Sequence, residues 1–126
     1  MKFQPERAAG VNLIARHDPG CVRVNADDWR SSVLVPWRGA VQAWPPGRLE
    51  DLTAEHFERL LALQPELVVF GSGARLRFVS PALLRALIER RIGVETMDTA
   101  AGCRTYNVLA SEGRLVVAAL LIETAG

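Results

Sequence analysis

Two stretches, Leu67-Val68-Val69-Phe70 and Leu115-Val116-Val117-Ala118-Ala119-Leu120-Leu121-Ile122, are apolar without interruption. A strand with one wet face alternates polar and apolar residues. A run with no polar position reads as a strand covered on both faces. Between these runs the sequence carries a second strand, Val94-Glu95-Thr96-Met97, and two helices. Ser80-Pro81 opens the first helix, with serine as N-cap and proline at the first helical position. Leu83, Leu84, Leu87 and Ile88 form its apolar stripe, and Gly93 is the expected left-handed residue past its end. The second helix runs from about residue 100 to 110 and closes at Ser111-Glu112-Gly113. Strand, helix, strand, helix, strand is the alternation that builds a parallel sheet with right-handed crossovers.

The first half has a different rhythm. Val11-Asn12-Leu13-Ile14-Ala15, Cys21-Val22-Arg23-Val24-Asn25, Ser32-Val33-Leu34-Val35-Pro36-Trp37 and Ala40-Val41-Gln42-Ala43-Trp44 read as short strands. Asp18-Pro19-Gly20 and Asn25-Ala26-Asp27-Asp28 read as turns, the first because proline presets φ and glycine tolerates positive φ. Pro36 marks an edge or an end. Short strands joined by short turns imply antiparallel pairing. Pro45-Pro46-Gly47 breaks the pattern. A helix then starts at Thr53, its N-cap, with Leu52 and Phe57 placed as a hydrophobic staple, and it ends at Pro65. The expected architecture is a single α/β domain over residues 1–126. An antiparallel, β-rich N-terminal half joins a β-α-β-α-β parallel-sheet C-terminal half.

A chain of 126 residues with 49% hydrophobic content can bury a core without a metal or disulfide staple. The net charge of +1 gives no general attraction to nucleic acid or to membranes. Lys2 is the only lysine, so nearly all the positive charge is arginine. Cys21 and Cys103 have neither metal-ligand nor disulfide-scaffold spacing and are expected as free thiols. The N-terminal ten residues lack the apolar core of a leader, and no apolar run reaches membrane-spanning length. A cytoplasmic protein without membrane insertion is the expectation.

Polar residues gather where the parallel strands hand over to the segments that follow them, which is where open α/β sheets place binding sites. Gly71, Ser72 and Gly73 follow one buried strand, with Arg75 and Arg77 nearby. Asp98 and Thr99 follow the next strand, with Cys103 and Asn107 on the helix they open. Glycines there could let backbone N–H groups approach an anion. Position 76 is leucine, so the dinucleotide-binding spacing fails, and no Gly-Lys-Ser/Thr follows. A tight strand exit accounts for the glycines, and helix capping accounts for Asp98 and Thr99. Cys103 lies early in a helix, where the dipole can lower a thiol pKa. A nucleophilic cysteine needs a base, and the only histidines, His17 and His56, lie in the other half. A buried, inert Cys103 is the simpler reading. Trp29, Trp37 and Trp44 cluster in the β-rich half and suit either the core or a protein interface.

The chain resembles the conserved domain of unknown function shared by the mitochondrial complex I assembly factor 3 and the adipogenesis-associated Mth-type domain protein. The resemblance rests on Pro65 through Val69, Gly71-Ser72-Gly73, Val94 through Thr99, Ala101, Tyr106-Asn107-Val108-Leu109, Glu112-Gly113-Arg114 and Val117-Ala118-Ala119-Leu120. Ser32-Val33-Leu34-Val35 and Trp44 also fit. It implies a single-domain α/β fold, no established enzyme activity, no agreed catalytic residues and, for the mitochondrial member, a role in assembling the respiratory NADH dehydrogenase.

Two functional expectations follow. The first is a non-enzymatic interaction or assembly module without a cofactor, acting on a protein partner or on a second copy of itself. The alternative is a small-molecule or anion-binding protein. Its site would be the carboxyl edge formed by Gly71, Ser72, Gly73, Arg75, Asp98, Thr99, Cys103 and Asn107.

Overall fold

In a computed structural model of the chain, the structure describes residues 10–123. The N-terminal stretch read for a leader falls outside the described residues except for Gly10. Among these residues, eight strands form two sheets. β1 (Ile14–Asp18), β2 (Cys21–Val24) and β3 (Asp27–Trp29) make a small antiparallel sheet in the order β1-β2-β3. The remaining strands are β4 (Val33–Pro36), β5 (Gln42–Ala43), β6 (Leu67–Gly71), β7 (Gly93–Met97) and β8 (Val116–Leu120). They form the main sheet in the order β5-β4-β8-β6-β7. β6 lies between β7 and β8 and is parallel to both, as the alternation requires. β4 joins β8 antiparallel, so the β-rich half is divided between the two sheets.

Every residue of β4, β6 and β8 is buried, which is why these runs carry no polar position. Alternate residues serve opposite faces. Val33, Val35, Leu67, Val69, Val116, Ala118 and Leu120 pack against the small sheet and against α3 (Thr99–Ser111). Leu34, Val68, Phe70, Val117, Ala119 and Leu121 pack on the other face. There they meet Phe57 and Leu60 of the segment containing α1 (Ala54–Glu58), and Leu87 of α2 (Arg85–Glu89). The molecule is therefore layered, with the sheet between two apolar interfaces.

Thr53 caps α1 as expected, and its N–H donates to His56 Nδ1 at 3.0 Å. After Glu58 the helix tightens into a 3-10 turn over Arg59–Leu63. Gln64 then takes a left-handed φ of 52° ahead of Pro65. Ser80 opens a 3-10 turn over Pro81–Leu84 that leads into α2, with its Oγ accepting from Ala82 N–H. Some local expectations need correction. Arg91, not Gly93, is left-handed past α2 (φ 58°), and Gly93 instead opens β7. Ile88 is 57% exposed, because only Leu87 of this short helix points fully inward. Asp27–Trp29 pairs with β2 as a strand and is not part of the turn. β1 starts at Ile14, since Val11 makes only an isolated bridge to Arg38.

The tryptophans are largely structural. Trp44 is buried and meets Phe57 and Phe70 edge-on, at centroid distances of 5.7 and 6.2 Å. Trp37 is partly buried and donates to Ala110 O, and Trp29 packs on the core below β2.

Candidate functional site

The carboxyl edge of β6 and the start of α3 meet as the sequence suggests, but most of their polar groups are already bonded to each other. Gly71 O accepts from Leu121 N–H at 2.9 Å, and Ser72 N–H donates to Met97 O at 2.8 Å. Thr99 N–H donates to Gly73 O, and Gly73 N–H donates back to Thr99 Oγ1, both at 2.9 Å. The Thr99 hydroxyl donates in turn to Leu121 O at 2.7 Å. Asp98 is the N-cap of α3, with Oδ1 accepting from Ala101 N–H at 2.8 Å. Ser72 is buried. Its Oγ donates to Arg75 O and accepts from Arg77 N–H, which folds the chain after β6 back on itself.

The other proposed members are elsewhere. Arg75 has an exposed side chain. Cys103 lies in the core between α3 and the main sheet, fully buried. Burial pushes its thiol up to about 12 from an ordinary value of 9.0. Asn107 sits one turn further on and grips β1: its Oδ1 accepts from Ile14 N–H at 2.9 Å and its Nδ2 donates to Ile14 O at 2.8 Å. Tyr106 does similar work beside it, its buried hydroxyl held by Asn12 O at 2.8 Å and Pro36 O at 3.1 Å. The eight residues are thus an internal clasp, a cap, an exposed cation, a core thiol and a lock between layers. They do not form one pocket.

A high thiol pKa has two measurable consequences. Iodoacetamide is expected to alkylate the partly exposed Cys21 in the native protein and Cys103 only after unfolding. Equal native rates at both thiols would contradict this placement. The folded state disfavours the Cys103 thiolate, so its contribution to stability is complete below pH 9 and declines as pH rises towards 12. The decline is up to about 1.4 kcal/mol per pH unit, readable from urea midpoints measured across that range.

Beyond the clasp lies a cleft of about 440 Å³ that the sequence does not reveal. The β1–β2 hairpin tip forms one wall, and Gly73, Ala74, Thr99, Ala100 and the chain leaving β8 form the other. His17 is therefore brought to Thr99, although 82 positions separate them in the chain. Glu123 is a further residue absent from the sequence reading. Its Oε2 pairs with Arg77 at 2.8 Å, and its Oε1 accepts from Ala74 N–H at 3.2 Å. Arg77 also reaches Glu50 at 3.1 Å. Among the described residues, no group of three histidine, cysteine or carboxylate side chains could hold a metal ion. None of the helices there is long and apolar enough to cross a membrane.

Fold and site together define a small mixed-sheet α/β domain with a self-bonded carboxyl edge beside an apolar cleft. The chain belongs to the family described as protein of unknown function (DUF498/DUF598), whose model matches residues 14–121. It is 40% identical to the NADH dehydrogenase (ubiquinone) 1 alpha subcomplex assembly factor 3 of Bos taurus, over 92% of this chain and 69% of that protein. Its fold matches a crystal structure of a Bordetella parapertussis protein with a TM-score of 0.87 at 36% identity, covering 93% of this chain and all of that one. A Mth938-like domain of Bordetella pertussis, solved in solution, matches at 0.86 and 29% identity, covering 100% of this chain and 95% of that one. The resemblance read from the residues is thus the true family, and the α/β architecture is the family's own.

Proposed function

We propose that the chain is a protein-binding assembly module that acts on a respiratory NADH dehydrogenase without chemistry of its own. The observation that carries this reading is the 40% identity, along nearly the whole chain, to a protein named as an assembly factor of that enzyme. The geometry is in keeping with it. The polar carboxyl edge is bonded internally and the core thiol is inaccessible, whereas the loop between β6 and α2 displays Leu76 and Phe78, 51% and 71% exposed. Ser72 holds that loop at its root, the Arg77 ion pairs hold its middle, and Ser80 caps the turn that follows. An anchored aromatic loses little conformational entropy when a partner covers it, and such residues dominate binding energy at interfaces. The anion-binding alternative has little to work with, because the backbone N–H groups of Ser72, Gly73 and Thr99 and the hydroxyls of Ser72 and Thr99 already have partners.

The test is genetic and biochemical. Deleting the gene in its host is expected to lower the amount of assembled NADH dehydrogenase on native gels. The wild-type gene is expected to restore it. Phe78→Ala, at an exposed position that leaves the fold intact, is expected to restore it poorly, in line with the loss of about 2 kcal/mol typical of an interface anchor. Normal assembly in the deletion strain would overturn the proposal. Full rescue by Phe78→Ala would move the interface away from this loop.

A further inference from the structure

The cleft between the hairpin tip and the start of α3 is a second feature, independent of the assembly reading. From its lining we infer that it binds an uncharged, largely apolar small molecule carrying one carbonyl or hydroxyl oxygen. Its volume of about 440 Å³ is that of a small-molecule site. Val22, Ala100, Leu121 and Ile122 give it apolar walls, and three of these four are buried. Its charges are already matched: Glu123 uses both oxygens on Arg77 and Ala74 N–H, and Asp18 pairs with Arg16 at 3.1 Å. The Thr99 hydroxyl is likewise engaged as donor and acceptor.

Two hydrogen-bonding groups without a partner among the described residues stand at the cleft. In the small sheet, His17, Val22 and Trp29 are cross-strand partners and so share one face. Val22 on that face is 1% exposed and packs into the core, so the face turns inward and His17 stands at the cleft. Its imidazole makes no hydrogen bond or ion pair among the described residues. The second group is a backbone donor. Thr99 N–H goes to Gly73 O, Ala101 N–H to Asp98 Oδ1 and Gly102 N–H to Asp98 O. That leaves the N–H of Ala100, a residue lining the cleft, as the donor of the first helical turn without a partner among the described residues. A donor from the helix and an imidazole able to donate suit a single acceptor oxygen. A carboxylate would be desolvated there with no free cation to meet among the described residues of the cleft, because Arg16 and Arg77 are already paired with Asp18 and Glu123. A neutral oxygen on an apolar body avoids that cost.

The experiment titrates the isotope-labelled 126-residue chain at pH 7.5 with three probes of one skeleton: indane, 1-indanone and indane-1-carboxylate. Amide resonances of Ala74, Ala100 and Ile122 are followed. The expected result is saturable shifts confined to these residues and their neighbours, tightest for 1-indanone and at least about threefold weaker for the carboxylate. Ala100→Leu keeps a good helix former at its position and fills the cleft. It is expected to weaken all probes by about tenfold or more, which is 1.4 kcal/mol. His17→Ala, at the mouth, is expected to weaken 1-indanone by about threefold or more, the Ala100 N–H remaining as a donor, while leaving indane unchanged. Absence of saturable shifts at the cleft, tighter binding of the carboxylate, or unchanged binding by both variants would overturn the inference.

Discussion

Replacing Asn107 by alanine is expected to destabilise the domain by about 2–4 kcal/mol, because it strands two backbone groups at once. The side-chain amide meets Ile14 the way a neighbouring strand would, accepting from its N–H at 2.9 Å and donating to its carbonyl at 2.8 Å. Ile14 is only 5% exposed, so water replaces these bonds poorly. The effect should also be local in character. Asn107 is on α3 and Ile14 opens β1, so the bond pair ties the small sheet to the body. Urea denaturation should show a lowered midpoint. Hydrogen exchange should show β1 and β2 losing protection well before β6. Asn107→Asp separates the two bonds, since a carboxylate still accepts from Ile14 N–H but faces the Ile14 carbonyl without a proton to donate. It is expected to be no better than alanine at neutral pH. A loss below about 0.5 kcal/mol in Asn107→Ala, the range of ordinary surface changes, would show that the small sheet is held by its apolar contacts alone.

Gly71→Ala is the second large effect, expected at about 1–3 kcal/mol, with Gly71→Val larger still. The reason is close approach and not backbone freedom. A Cβ at Gly71 would lie 2.9 Å from Leu120 Cδ2 and 3.0 Å from both Thr99 Cα and Thr99 Oγ1. Leu120 is on the adjacent strand and is fully buried, and Thr99 is held by its bonds to Gly73 and Leu121. Relief therefore requires α3 to move off the sheet and loosen the clasp. Gly102 provides the control. A Cβ there meets Leu120 at 3.2 Å, and its next nearest neighbours are Val69 at 3.5 Å and the Gly71 Cα at 3.6 Å, ordinary van der Waals distances. Alanine is also favoured over glycine inside a helix by about 1 kcal/mol. Gly102→Ala is thus expected to be close to neutral in thermal unfolding, while Gly71→Ala loses several degrees in Tm. Equal effects at the two sites would mean that α3 shifts freely on the sheet.

The readable part of the fold was the part whose physics is local or periodic. Uninterrupted apolar runs gave the two-sided burial of β6 and β8. Ser80-Pro81, Thr53 and Asp98 opened their helical segments because capping depends on a few adjacent atoms. Asp18-Pro19-Gly20 made its turn for the same reason, with Gly20 at a φ of 80°. Helix ends were harder: Arg91 takes the left-handed position because its N–H and that of Ile92 still reach Ile88 O and Leu87 O, which a single glycine rule does not foresee. The candidate site fared less evenly. Gly73 and Thr99 do meet, yet they meet as partners of each other. Cys103 and Asn107 follow them on the same helix but face the core and β1. A hydrogen-bonding residue in a sequence looks the same whether its partner is a ligand or the protein's own backbone.

By itself the sequence determined the family, the α/β class, the three parallel strands and the caps that start the helical segments. These follow from burial periodicity and from bonds between residues a few positions apart. Only the tertiary structure decided that β4 and β5 complete the main sheet while β1–β3 stand apart. It also decided that Asn107 and Tyr106 lock the layers, that Glu123 and Arg77 brace the loop bearing Phe78, and that His17 faces Ala100 across a cleft. Each of these depends on which distant segments are brought together, and that is fixed by how whole faces pack. No short stretch of residues records it.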